Sequence, residues 1–381
     1  QAGIPLVPGT DRVTDPETAL AFGAEAGYPV LVKAAGGGGG RGIRVVATPG
    51  ELAGALQQAS QEAQQAFGDA GVYLEKYLLP VRHVEIQIMA DAHGTVVGLG
   101  ERECSIQRRH QKIIEEAPSV AVSPELRGRM IAAAVAAARA ADYRGAGTVE
   151  FLLDRDGRFY FLEVNTRLQV EHPVTELLTG RDLVRDQLRV AAGQPLGYTQ
   201  DDVSPRGWAL ECRITAEDPH NSFLPSLGRV RLVQLPSGPG VRVDSSLYDG
   251  LEVSPYYDSL LAKVIVWGED RPQAIARMRR ALDEFVLLGV KTNIPFHRYL
   301  LDLPDFQAGA INTSFLEEVL EHFAAAATAN RDLAAITAAV LAHSGLSPTS
   351  AAPDQASSVG AASQSTWATA YRMRNSGYWK V

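Results

Sequence analysis

Cysteine is nearly missing from the chain: Cys104 and Cys212 are its only two in 381 residues. They lie far apart and outside any metal-ligand spacing, which excludes a disulfide framework and a Cys-based zinc site. A reduced, cytoplasmic protein with incidental thiols is expected. An excess of basic residues is missing too. Lys and Arg number 36 against 44 Asp and Glu, for a formal net charge of -8. That balance argues against general nucleic-acid binding and gives no support to an anionic membrane surface. No apolar run is long enough to span a bilayer, and no signal peptide is read at the start. What remains is a chain with 46% apolar and 21% charged residues. At roughly 150 residues per domain it has room for two to three domains with sizeable cores. It opens on Gln1-Ala2-Gly3-Ile4-Pro5, without an initiator Met or a recognisable first element, so a missing upstream segment is expected.

Residues 149–173 read V-E-F-L-L-D-R-D-G-R-F-Y-F-L-E-V-N-T-R-L-Q-V-E-H-P. Two β-strands, V-E-F-L-L and R-F-Y-F-L-E-V, are joined by the turn Asp154-Arg155-Asp156-Gly157. With the turn centred on Arg155-Asp156, Leu153 sits opposite Arg158. Glu150, Glu163 and Asn165 then share one face, with Glu150 diagonal to Glu163. Two like charges so close are unfavourable unless something offsets them, and a hard divalent cation with oxygen ligands would do so. Arg167, Gln169 and Glu171 follow as three polar groups on one side of an extended segment. Taken alone, the same pattern also suits a two-stranded edge with a solvated polar face.

Upstream, a helix is expected over Asp15 to Ala26, opened by Asp15-Pro16-Glu17. The strand Tyr28 to Lys33 leads into Gly36-Gly37-Gly38-Gly39-Gly40-Arg41-Gly42, and Ile43 to Val46 is again a strand. Strand–glycines–strand is neither a Walker loop nor a dinucleotide fingerprint, since both of those open a helix. Successive glycines let backbone N–H groups close over phosphates and adopt positive φ angles. Lys33 could add a point charge to the same phosphates. A phosphate lid is favoured over a flexible linker because apolar strands flank the glycines on both sides.

A helix over Pro49 to Phe67 and a strand over Val72 to Leu78 come next, the latter carrying Glu75 and Lys76. His83-Val84-Glu85-Ile86-Gln87-Ile88 alternates as a half-buried strand, with His83, Glu85 and Gln87 on one face. Glu101 to Lys112 is dense in anion-binding groups, yet in isolation it reads as a solvated charged face. Ser123-Pro124 opens an alanine-rich helix to about Tyr143. A further helix is read from Thr179 to Ala192, closed by Gly193. From Trp208 the character turns β-rich, with Arg213 on the first strand, and a domain boundary is placed near 195–206. Helices are expected at 272–289 and 315–343. Residues 345–366 read as a Ser/Ala/Pro/Gln-rich linker before an aromatic tail at 367–381.

These pieces together resemble biotin carboxylase, the ATP-grasp component of biotin-dependent acyl-CoA, pyruvate and related carboxylases. The resemblance rests on Lys-Ala-Ala-Gly-Gly-Gly-Gly-Gly-Arg-Gly (33–42), Glu-Lys-Tyr-Leu (75–78), Arg-His-Val-Glu-Ile-Gln (82–87) and the run at 101–112. Glu-Val-Asn-Thr-Arg-Leu-Gln-Val-Glu-His-Pro (163–173) and Glu-Cys-Arg-Ile-Thr-Ala-Glu-Asp-Pro (211–219) complete it. It covers roughly residues 3–320. The fold implied is α/β (α+β). An ATP-grasp lid subdomain spans 1–78, its core with the metal and bicarbonate site 79–200, and a β-rich biotin carboxylase C-terminal domain 201–322. An Ala-rich helix, linker and tail follow at 323–381.

Carried over, the family's ATP contacts fall on Lys33, Gly39, Gly40, Glu75, Lys76, Leu78, His83, Gln107 and His110. Its Mg²⁺ or Mn²⁺ ligands fall on Glu150, Glu163 and Asn165. Its bicarbonate contacts fall on Lys112, Arg167, Gln169 and Val170, its base on Glu171 and its biotin contact on Arg213. The implied reaction is ATP-dependent carboxylation of biotin by bicarbonate through carboxyphosphate, on a biotin carboxyl carrier protein or domain. The further partners implied are a carboxyltransferase and, in a homo-oligomer, further copies of the chain. The family's N-terminal α/β domain has no counterpart in the sequence, so weak or no turnover is expected of this chain alone. No Ala-Met-Lys-Met carrier motif occurs either, and the carrier is expected in trans or further downstream. Two other readings stand beside this one: a carbamoyl-phosphate-type ATP-grasp ligase, and a non-catalytic nucleotide-binding subunit.

Overall fold

The structure is a computed structural model that describes residues 3–13, 15–36 and 42–323. Gly39 and Gly40, most of the glycine lid, and the helix, linker and aromatic tail expected beyond 323 lie outside the described residues.

The first part is a three-stranded antiparallel sheet of β1 (Val30–Ala34), β2 (Ile43–Val46) and β3 (Val72–Lys76), in the order β2-β1-β3. Two helices cover it, α1 (Pro16–Ala26) and α2 (Pro49–Phe67). As the sequence suggests, Asp15 caps α1, accepting a 2.7 Å hydrogen bond from the Thr18 N–H, with Pro16 in the first turn. Val30, Val32, Val46, Leu52, Leu56 and Leu74 form the core between these layers. Residues 3–13 are an extended strap. Its Pro5 carbonyl accepts from Phe161 N–H at 2.8 Å, and its Pro8 carbonyl from Lys76 N–H at 2.8 Å. The strap therefore hydrogen-bonds both to this small sheet and to the hairpin of the next one.

The second part is an eight-stranded antiparallel sheet. In chain order its strands are β4 (Arg82–Ala90), β5 (Val96–Arg108), β6 (Gln111–Ala117), β7 (Gly145–Leu153), β8 (Phe159–Asn165), β9 (Trp208–Thr215), β10 (Val241–Ser245) and β11 (Leu260–Gly268). Across the sheet the order is β10-β11-β9-β6-β5-β4-β7-β8. β6 pairs with β9, Glu115 opposite Glu211, so one sheet crosses the boundary expected near 201. One face is apolar. Helix α3 (Pro124–Ala140), capped by Ser123, buries Leu126, Met130 and Ala134 against Val84, Ile86 and Ile88. Further along, Met278 and Leu282 of a helix at Arg271–Glu284 pack with Leu210, Ile214, Val264 and Val266.

The opposite face is polar. Arg102, Glu85, Glu150 and Glu163 are successive partners across β5, β4, β7 and β8. Burying such groups is costly unless they are paired, and the pairing makes the site. Here the structure corrects two readings. β4 is not half-buried, because it lies inside the sheet with both faces covered. The charged run from Glu101 is not a solvated face either: Glu101, Arg102 and Glu103 are buried on β5.

The hairpin also differs in register. Leu153 pairs with Phe159 rather than Arg158, which would turn Glu163 away from Glu150. A bulge at Leu162 inserts one residue and restores the parity, so that Glu150 and Glu163 stand directly opposite rather than diagonal. The extended segment beyond Asn165 is not a strand. The ladder with β7 ends at the Thr148–Asn165 pair, and the chain then bends at Arg167 and turns at Val170–Glu171. The helix read from Thr179 begins later, as α5 (Leu183–Ala191), and a separate helix not read from the sequence, α4 (His172–Thr179), precedes it. Gly180 at φ 67° ends α4 and Asp182 caps α5.

Candidate active site

Lys112 is the centre of the polar face. Its Nζ lies 2.6 Å from Glu85 Oε2, 3.0 Å from Glu150 Oε1 and 2.7 Å from Glu171 Oε1. A two-residue turn at Arg109 (φ 52°) and His110 (φ 64°) sets it there, pairing Lys112 with Gln107. Positive φ at both central residues is the geometry of a tight hairpin, and no Gly, Asn or Asp announces it. Glu85 also accepts from the fully buried Arg102 Nε at 2.6 Å, whose other donors reach Gln87, Thr148 and Thr175. Burial pushes the Glu85 carboxyl up, but the Lys112 and Arg102 cations outweigh it and hold the pKa at about 2. Glu150 is likewise pushed up by burial, yet the His83 and Lys112 donors bring it to about 2. Burial disfavours the Lys112 cation, and Glu85, Glu171 and Glu150 more than offset this, leaving it held well above its usual range.

Glu171, fully buried ahead of α4, spans two cations. Its Oε1 takes Lys112, and its Oε2 takes Arg213 Nη2 at 2.8 Å. Arg213 on β9 also donates through Nε to Glu115 Oε1 at 2.5 Å. Gln169 Nε2 donates to Glu150 Oε1 at 3.2 Å, and Gln169 Oε1 accepts from the exposed Arg167 at 2.8 Å. The Val170 carbonyl accepts from Lys263 at 2.8 Å. Asn165 Nδ2 lies 3.0 Å from Glu150 Oε1 and 3.5 Å from Glu163 Oε1, donating between the two opposed carboxylates. That gap, lined by hard oxygens and bridged by an amide whose rotation would present Oδ1, suits Mg²⁺ or Mn²⁺. His83 Nε2 stands 3.2 Å from Glu150 Oε2.

The structure thus brings together Lys112, Glu150, Glu163, Asn165, Arg167, Gln169, Glu171, Arg213 and His83. Lys33 and Glu75 form a separate ion pair across β1 and β3, and the Lys76 ammonium is taken by the Ala26 and Gly27 carbonyls. Leu78 is half-buried beyond β3, Gln107 is tied to the Cys104 carbonyl, and His110 is exposed at the turn. The residue reading passed over Glu85, Arg102 and Glu115 as functional groups. The alternation of 83–87 had placed Glu85 beside His83, but nothing local said that Lys112 would lie across it.

Comparison with known proteins matches the geometry. Residues 1–199 fit the family model of the carbamoyl-phosphate synthase L chain ATP binding domain, and residues 211–318 that of the biotin carboxylase C-terminal domain. The first alone is shared with the carbamoyl-phosphate alternative, and the second separates the two. Biotin carboxylase 1 of Bacillus subtilis is 54% identical over 319 residues, 83% of this chain and 71% of that protein. A pyruvate carboxylase subunit of Methanothermobacter thermautotrophicus is 53% identical, over 84% of this chain and 65% of its own length. Among solved structures, the biotin carboxylase domain dimer of Hydrogenobacter thermophilus 2-oxoglutarate carboxylase, with MgADP, ADP and bicarbonate, gives a TM-score of 0.78. It is 47% identical, covering 83% of this chain and 70% of that one. The Campylobacter jejuni biotin carboxylase–β,γ-ATP complex gives 0.79 at 46% identity, over 83% and 71%. The chain belongs to the biotin carboxylase family, ATP-dependent ligases of the biotin-dependent carboxylases, with an ATP-grasp domain followed by the biotin carboxylase C-terminal domain.

Proposed function

We propose that this chain performs the first half-reaction of a biotin-dependent acyl-CoA carboxylase, with the roles set by one observation. Glu171 touches both Lys112 (2.7 Å) and Arg213 (2.8 Å), which come from strands on either side of residue 201. One carboxylate thereby joins a phosphate-and-bicarbonate side to a biotin side. Lys112 neutralises charge on the transferring phosphoryl group, and Arg167 and Gln169 orient bicarbonate. Glu171 takes the bicarbonate proton, so that a bicarbonate oxygen can attack the γ-phosphorus and displace ADP, giving carboxyphosphate. Carboxyphosphate splits into CO₂ and phosphate, the phosphate takes the biotin ureido proton, and the freed nitrogen attacks CO₂ while Arg213 faces the ureido oxygen that gains charge. Glu150, Glu163 and Asn165 hold the Mg²⁺ or Mn²⁺, which neutralises phosphate oxygens when bound. Lys33, Gly39, Gly40, Glu75, Lys76, Leu78, His83, Gln107 and His110 serve ATP.

The carrier of biotin, a carboxyltransferase and a second copy of the chain are the partners of this reading. A cytoplasmic location agrees with two buried, unpaired thiols, and among the described residues no helix is long and apolar enough to cross a membrane. The Ser/Ala/Pro-rich run at 345–366 fits the linker of a longer acyl-CoA carboxylase subunit, while the choice of acceptor lies with the transferase. Recombination with the cognate transferase and comparison of acyl-CoA, pyruvate and 2-oxoglutarate as acceptors checks that point. The central test is Arg213→Ala. Biotin carboxylation should be lost while most ATP binding, measured by calorimetry, is kept. Equal loss of both would make Arg213 a structural residue and overturn the assignment.

A further inference from the structure

Behind Arg213 lies a pair of acids that the half-reaction above does not use. Glu115 on β6 and Glu211 on β9 are directly opposite in the ladder, and both are 0% exposed. Directly opposed residues bring their Cβ atoms to about 5 Å, so the two carboxyls share one small volume. Glu115 Oε1 accepts from Arg213. Among the described residues, Glu115 Oε2 and both oxygens of Glu211 have no hydrogen-bond partner.

The surrounding cations are already engaged. Lys263 on β11 serves the Val170 carbonyl and Asp244, and Arg213 serves Glu115 and Glu171. From α4, His172 holds the Gln169 carbonyl and Glu176 holds Arg242 of β10. Cys104 on β5 and Cys212 on β9 are buried thiols, and the next partner of Glu211 across the sheet, Ile265, is apolar. If both acids were ionised, three carboxylate oxygens would sit dry and unpaired, which proteins avoid. A single proton relieves the charge conflict and pairs two of the three oxygens. An O–H on Glu211 aimed at Glu115 Oε2 satisfies one orphan with another, and Glu115 keeps its charge for Arg213.

We propose that Glu115 and Glu211 share one proton carried on Glu211, making Glu211 a positioning residue that steadies Glu115 and, through it, the Arg213 guanidinium. Burial drives both carboxyls up. Arg213 restrains Glu115 to about 7, while Glu211, pushed further by the Glu115 charge, lies well above the carboxylate range. Arg213 lines a cavity with Gln111, Lys112, Thr215, Glu217 and Asn293. Its aim into that space depends on how firmly Glu115 grips its other edge. The functional part of this inference rests on the reading that Arg213 meets biotin.

The test compares the intact protein, in which turnover is expected, with its Glu211→Gln and Glu211→Leu variants. Infrared spectra at neutral pH should show, in the parent, a carbonyl stretch of a protonated buried carboxyl that is missing from Glu211→Gln. A parent without that band, or a band unchanged in Glu211→Gln, would overturn the proton assignment. In biotin-stimulated ATP hydrolysis, the parent should lose activity on the alkaline side as Glu211 ionises. Glu211→Gln, whose amide donor does not titrate, should lack that fall. Superimposable pH profiles would overturn the positioning role. Glu211→Leu, which leaves Glu115 Oε2 without its donor, should lower the biotin-stimulated rate roughly tenfold while ATP affinity changes less than about twofold. An equal loss in both would overturn the role through Arg213. Should the Leu variant fail to fold, the Gln variant still decides by band and profile. The infrared result stands even if Arg213→Ala retains biotin carboxylation, so failure of the functional reading and failure of the proton pair are distinguishable.

Discussion

Replacing Lys112 by methionine removes the one ammonium shared by Glu85, Glu150 and Glu171, at 2.6, 3.0 and 2.7 Å. The apolar stem remains, so packing changes little and the perturbation is electrostatic. Each carboxylate keeps a second partner: Arg102 for Glu85, His83 for Glu150 and Arg213 for Glu171. None has access to water enough to replace the cation. Removing one member of a buried ion cluster costs about 3–5 kcal/mol. Glu85 gives an independent scale. Its pKa is held at about 2 against 4.5, mainly by Lys112 and Arg102 working against burial, a fall worth about 3 kcal/mol.

The pH dependence has a definite sign. In the parent, the folded-state pKa of Glu85 is depressed, so its contribution is fully present above 4.5 and is lost as pH falls toward about 2. Without Lys112, burial is opposed by fewer cations and the Glu85 pKa rises. The variant is therefore penalised most at neutral pH and relieved on acidification. Urea unfolding followed by intrinsic fluorescence should show a deficit of about 3–5 kcal/mol at neutral pH that narrows in mildly acidic buffer. A deficit below about 1 kcal/mol at neutral pH, or one that does not change with pH, would refute the reasoning.

Three further outcomes follow from the same geometry. Glu163→Gln should weaken Mn²⁺ binding in the presence of nucleotide by at least about tenfold, read by electron paramagnetic resonance. Thermal stability should hold or rise, because one of two directly opposed carboxylates is gone; unchanged Mn²⁺ affinity would remove Glu163 from the metal seat. Arg102→Met leaves Glu85, Gln87, Thr148 and Thr175 without their common donor, and a loss of about 3–5 kcal/mol is expected in urea unfolding. A cost typical of a surface substitution would contradict that hub role. Cys104 and Cys212 are buried, and burial raises both thiols well above their usual range. A thiol-reactive dye should label neither in the native protein and both in urea, whereas prompt native labelling would show that the sheet opens at these strands.

Local chemistry in the chain was enough for many of the elements. Asp15 and Ser123 accept the N–H bonds that start their helices, and local pattern alone put Glu150 and Glu163 on one face. The motifs at 33–42, 101–112 and 163–173 named the family correctly. Contacts that depend on distant partners were not legible. Period-2 alternation assigns a residue to a face but does not say whether that face is covered, so β4 looked half-buried until β5, β7 and α3 enclosed it. The Glu150–Glu163 pairing was reached from a turn register one residue out, and it survives only because Leu162 bulges.

By itself, then, the sequence determined which chemical groups are available and in what local order: two hairpin carboxylates, an amide, a further carboxylate and two cations. Tertiary structure alone decided that β6 pairs with β9. That pairing sets Arg213 and Lys112 on either side of Glu171 and opposes Glu115 to Glu211. The physical reason is range. Caps, turns and alternation act over a few residues, whereas the Glu115–Glu211 contact joins strands nearly a hundred residues apart, chosen by burial and hydrogen bonding across the whole sheet.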